Sequence, residues 1–93
     1  MTELEILRSE IDEIDSEIAE LFAKRMHLSL SIAEYKRRNS LPIYDKAREQ
    51  QVTERGVSLI PAEISGYYKR LLECIMSLSR EYQTSIAAEG GTK

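Results

Sequence analysis

Before Pro42 the chain contains neither proline nor glycine, and its apolar residues recur in steps of three and four. They are Leu4, Leu7, Ile11, Ile14, Ile18 and Leu21, then Leu28, Ile32 and Tyr35. That period predicts one continuous helix with a single apolar seam, from Leu4 to about Tyr35. At about 1.5 Å per residue the rod is roughly 50 Å long. A compact chain of 93 residues has a radius of gyration of only about 12 Å. The rod outruns the globule that its own chain can build, and the residues after it are too few to cover the seam. A second copy, antiparallel to the first, is expected to cover the rest.

One position on the seam breaks the pattern. Between Leu21 and Leu28 the beat falls on Arg25, and a cation on an apolar face is costly without a partner. Lys36 lies about three turns further on, on the same face. Two cations on an otherwise apolar surface suggest a pocket for an anion. Arg8 lies about 25 Å before Arg25 along the axis, too far to join that pocket in its own chain. In an antiparallel pair of rods it enters the partner's pocket instead.

Composition narrows the classes. With 42% hydrophobic and 31% charged residues, no tryptophan and few aromatics, the chain reads as a helix-rich, soluble domain. A net charge of −3 argues against general nucleic-acid binding. Acidic residues crowd the first half of helix 1, and Lys24, Arg25, Lys36, Arg37 and Arg38 the second. Macrodipole matching accounts for Arg37 and Arg38 but not for Arg25. Cys74, the only cysteine, is expected as a small buried hydrophobe, with no disulfide and no metal site. His27 is expected as a surface or packing residue. No apolar run reaches the length of a membrane span and the acidic start is not a signal peptide, so the expected compartment is the cytoplasm, with no membrane partner.

Pro42 prevents continuation of helix 1 beyond Arg37-Arg38-Asn39-Ser40. A short helix is predicted from Tyr44 or Asp45 to Arg55, with Asp45 as N-cap and Gly56 as stop. Pro61 suits the first turn of a third helix, whose apolar stripe is Ile64, Tyr68, Leu71, Ile75, Leu78 and Tyr82, ending near Ala88. Residues 1–88 are read as one domain and 89–93 as a disordered tail.

Helix 2 sets Asp45, Arg48 and Glu49 on one face, and helix 3 sets Ser79 and Gln83 one turn apart. Taken alone, the first three read as a cap with a surface ion pair and the last two as solvent-edge residues. Arg25, Lys36, Arg48 and a partner's Arg8 put four cations around one cavity, accompanied by Glu49, Ser79 and Gln83. The chain has no cysteine nucleophile, Ser–His pair, metal cluster or glycine-rich phosphate loop. Such a site holds a small polyanion and catalyses by positioning and electrostatics alone.

These positions resemble the all-helical (AroQ-type) chorismate mutases over nearly the whole chain. The matching segments are Leu7-Arg8 with Ile11, Asp12 and Asp15; Lys24-Arg25 with the stretch to Lys36; Pro42 to Glu49; and Ser79-Arg80-Glu81-Tyr82-Gln83. The resemblance implies an all-α fold of one long, one short and one medium helix, intertwined as an antiparallel homodimer with two equivalent sites. It implies rearrangement of chorismate to prephenate in phenylalanine and tyrosine biosynthesis, without metal or cofactor. Arg8 of the partner and Arg25 would grip carboxylates, helped by Arg48 and Ser79. Lys36 and Gln83 would address the ether oxygen. Glu49, with the backbone near Asp45, would hold the ring hydroxyl, and Ile32, Val52 and Met76 would form apolar walls. The chain looks free-standing, and a complex with another shikimate-pathway enzyme would be the route to feedback control.

Two other readings compete. A lyase of the same fold cleaves isochorismate to pyruvate and salicylate, but lacks the Asp45–Arg48–Glu49 pattern at the start of helix 2. A non-catalytic helical module or scaffold gives no reason for a cation at position 25 on the seam.

Overall fold

A computed structural model describes the backbone of residues 1–91 and the side chains of residues 1–86. Among the described residues the regular structure consists of three helices: α1 (Glu3–Arg38), α2 (Lys46–Ser58) and α3 (Ala62–Gly91). No helix among them is long and apolar enough to cross a membrane.

α1 starts at a capping box. The Thr2 hydroxyl accepts from the Glu5 amide and the Glu5 carboxylate accepts from the Thr2 amide, satisfying two N-terminal donors reciprocally. At its other end, the Leu41 amide donates to the Lys36 carbonyl at 2.8 Å and the Ser40 amide to the Arg37 carbonyl at 3.3 Å. This pair of bonds is a Schellman motif with Ser40 at the left-handed position, φ 53°, where glycine is usual. The rod therefore closes on its own carbonyls before Pro42 is reached.

α2 begins where expected, with the Asp45 carboxylate accepting from the Arg48 amide at 3.0 Å. It does not stop at Gly56, which lies inside the helix and is buried against α3. A Cβ there would meet Leu72 Cδ1 at 2.5 Å and Tyr68 Cε2 at 3.0 Å. The glycine serves close helix approach rather than termination. α3 follows Pro61 directly and continues to Gly91, past the end expected near Ala88. Of the expected tail, residues 92 and 93 lie outside the described residues.

α3 is the element against which both others pack. Its buried stripe is Leu72, Met76, Ser79 and Gln83, one position round from the stripe that apolar spacing predicts. Leu71, Leu78 and Tyr82 are exposed instead. α1 meets α3 through buried Ser29 and Ala33, small residues that let the two backbones approach. The apolar seam residues are all exposed in the single chain, and so are residues 1–24. Cys74 is exposed too, because it points away from the Leu72–Gln83 stripe. The chain is an elongated slab of 55 × 30 × 14 Å with a radius of gyration of 17.0 Å, well above the compact value of about 12 Å.

Ser40→Gly removes the left-handed backbone cost of a serine, partly offset by the greater unfolded freedom of glycine. The expected gain is about 0.5–1 kcal/mol, read as a higher thermal midpoint. An unchanged or lower midpoint would show that the serine is unstrained there.

Candidate active site

All three helices and the loop between α1 and α2 contribute to one open cleft of about 280 Å³. Arg25, Ile32 and Lys36 reach it from α1; Asp45, Arg48, Glu49 and Val52 from the start of α2; Met76, Ser79, Arg80 and Gln83 from α3. Helical spacing places each set: 25, 32 and 36, then 45, 48, 49 and 52, then 76, 79, 80 and 83 each recur within one face.

Hydrogen bonds fix several of these side chains. Arg25 Nη1 donates to Ser79 Oγ at 3.0 Å, and Ser79 Oγ lies 3.6 Å from Met26 Sδ. Gln83 Nε2 donates to the Ser29 carbonyl at 2.8 Å across the α1–α3 contact. An amide nitrogen carries two donors, so the second remains available to a guest. Lys36 Nζ donates to the Ile43 carbonyl at 2.7 Å, tying the loop to α1 and keeping two further protons. Arg48 reaches Gln51 Oε1 at 3.4 Å. The acceptors of Arg25, Lys36 and Arg48 are thus all neutral. Among the described residues, ion pairing in the cleft occurs between Arg80 and Glu49. That hydrogen bond is the first cause holding the Arg80 guanidinium above its ordinary pKa.

Seven of the eight residues singled out from the sequence line this cleft: Arg25, Lys36, Asp45, Arg48, Glu49, Ser79 and Gln83. Arg8 does not; it is exposed on the outer half of α1. Ser79 and Gln83 are buried, at 7% and 6% exposure, rather than at the solvent edge. Their partners on α1 make burial affordable, and no spacing rule within α3 reveals those partners. Arg80 was not singled out for a role. Its cue was its place beside Ser79, but its partner lies on another helix.

The arrangement offers cations, an amide donor and a carboxylate around a mostly apolar hollow. It can bind a small polyanion in one conformation and stabilise negative charge that develops on it.

The family model of chorismate mutase type II matches residues 7–84. The T-protein of Haemophilus influenzae is 37% identical over 76 residues, covering 82% of this chain and 20% of that protein. The bifunctional chorismate mutase/prephenate dehydratase of Aquifex aeolicus is 36% identical over 81 residues, covering 87% of this chain and 22% of that protein. A chorismate mutase of Methanocaldococcus jannaschii is 41% identical over 49 residues, covering 53% of this chain and 50% of that protein. The chain thus spans about a fifth of the length of the first two. No solved structure matches it significantly.

The buried Gln83–Ser29 bond has a pH signature. In Gln83→Glu only the protonated acid can donate to the Ser29 carbonyl, so its folded pKa is raised. The variant is least penalised below the unfolded value of about 4.3, and its deficit grows as pH rises towards the folded value. Thermal midpoints compared with the parent from about pH 4 to about pH 8 should diverge with rising pH. A constant gap would show that the bond does not constrain position 83.

Proposed function

The chain belongs to the chorismate mutase type II family, and from that premise we propose that it rearranges chorismate to prephenate, on the route to phenylalanine and tyrosine. The observation that carries this reading is the convergence of Arg25, Lys36, Arg48, Glu49, Ser79 and Gln83 on one cleft walled by Ile32, Val52 and Met76. The reaction is an intramolecular [3,3] shift. A C–O bond breaks as a C–C bond forms, without covalent intermediate or net proton transfer to the protein. Positioning and electrostatics are what such a step can use.

Arg25, with Arg48 and Ser79, binds the substrate carboxylates and draws the chain over the ring. Lys36 and Gln83 donate to the ether oxygen, on which negative charge grows as its bond to the ring breaks. Interactions that strengthen along the coordinate accelerate it, so these two carry more of the rate than the carboxylate grips. Glu49, beside the Asp45 backbone, accepts from the ring hydroxyl. The apolar walls hold the compact conformer.

The functional unit in this reading is a cytoplasmic, antiparallel homodimer in which Arg8 of one chain completes the other's cleft. Supporting it, every apolar seam residue from Leu4 to Tyr35 is at least 50% exposed in the single chain. An exposed apolar strip of that length, interrupted at Arg25, is unusual on a monomer. The name of the Aquifex relative joins mutase to prephenate dehydratase, which supports a working association of this chain with a prephenate-consuming enzyme.

Purified protein is expected to sediment as a dimer and to form prephenate. Lys36→Ala should lower kcat by about 10²–10³, whereas Arg8→Ala should mainly raise KM. Near-full kcat in Lys36→Ala would remove that lysine from the ether oxygen. A monomer, or an Arg8→Ala variant with unaltered KM, would remove the shared site.

A further inference from the structure

Arg80 is the cleft cation left without a task by the assignments above. It leaves α3 beside Ser79 and donates from one nitrogen to both carboxylate oxygens of Glu49 on α2. Its guanidinium carbon lies 5.0 Å from the centre of the Tyr44 ring in the α1–α2 loop. One side chain therefore ties three separately placed segments together. The pair is 34% and 25% exposed at the two side chains, sheltered more than an ordinary surface ion pair.

We infer that Arg80 is a positioning residue that acts through Glu49, holding its carboxylate in place for the substrate's ring hydroxyl and cancelling its charge against a dianionic guest. The inference rests on the chorismate mutase reading of the cleft. Two physical needs support it. First, a glutamate has three rotatable bonds, and an unanchored carboxylate at the cleft edge would spread over several rotamers. A carboxylate has about four acceptor sites, so holding Arg80 leaves room for a hydroxyl. Secondly, four cations and two carboxylates line the cleft, a surplus of two positive charges. Without Arg80 the surplus halves, and Glu49 stands uncompensated beside a substrate that carries two carboxylates.

Tyr44 explains why the guanidinium holds one pose. The guanidinium carbon sits over the ring, and the loop that carries Tyr44 is itself tied to Lys36 through the Ile43 carbonyl. A delocalised, multi-donor guanidinium is better suited to bonding a carboxylate while sitting over a ring than a lysine is.

The test is a double-mutant cycle on prephenate formation with Arg80→Met and Glu49→Ala. Arg80→Met alone should lower kcat/KM by about ten- to hundredfold, the scale for removing a group that orients a functional side chain. In the Glu49→Ala background the same change should cost less than about threefold, because its intermediary is gone. Effects that multiply in the double variant would overturn the inference and make Arg80 an independent contact. Should Arg80→Met fail to fold, Arg80→Lys replaces it in the same cycle with the same criteria and a smaller single effect. A parent protein that forms no prephenate would sink the underlying reading; an active parent with multiplicative effects would sink only the role of Arg80.

Discussion

The contact between α1 and α3 is held by hydrogen bonds as much as by hydrophobic burial, and the rest of the molecule depends on it. Among the described residues, Ala33, Leu72 and Met76 are the buried hydrophobic side chains, and Ser29, Ser79 and Gln83 the buried polar ones. Gln83 donates to the Ser29 carbonyl and Arg25 to Ser79. Each bond crosses between the helices, so losing either partner leaves a desolvated polar group, which costs more than the bond contributes on average. The contact is therefore specific in register: a slide of α3 along α1 would orphan both. That register is also what sets Ser79 and Gln83 opposite Arg25 and Lys36, so the fold and the cleft are fixed by the same bonds.

Such a contact is too thin to hold a rod of 36 residues by itself. Each ordered residue costs roughly 1–2 kcal/mol of backbone entropy, while among the described residues no large side chain is fully buried and the first 24 residues are all exposed. The capping box contributes only about 1 kcal/mol, and the solvent-exposed ion pairs along the helix add little to it. Covering the seam would supply stabilisation of that kind, and the proposed dimer would do so with the same surface that brings in Arg8. In this reading, assembly and substrate binding draw on one helix.

Much of the architecture was legible because it rests on local signals. Pro42, Asp45 and Pro61 mark the element boundaries through local chemistry that needs no neighbour. The places where sequence reasoning misleads all involve a second helix. Gly56 looks like a stop until Leu72 and Tyr68 are placed beside it. The stripe of α3 was read from its most hydrophobic residues, whereas the buried face includes Ser79 and Gln83, whose partners are fifty-odd residues away. Cys74 followed a composition rule for buried thiols that its position round the helix overrides. The pairing of Arg80 with Glu49 has no sequence period at all, and it needs the α2–α3 packing to be seen.

The pattern of charge compensation separates an anion site from a structural strut. Arg37 and Arg38 on α1 pair with Glu34, as surface cations on a helix commonly do, and Lys24 pairs with Glu20. Three of the four cations that line the cleft behave differently. Arg25, Lys36 and Arg48 donate to neutral partners, a serine hydroxyl, a backbone carbonyl and a side-chain amide oxygen. Those bonds fix where the cations sit without cancelling their charge. A strut gains nothing from this, since positive charges held together repel one another and an apolar residue at position 25 would complete the seam. The arrangement makes physical sense when the compensating charge arrives with a guest. Glu49 fits the same logic in reverse: its own charge would oppose that guest, and it is the one carboxylate of the cleft held in an ion pair.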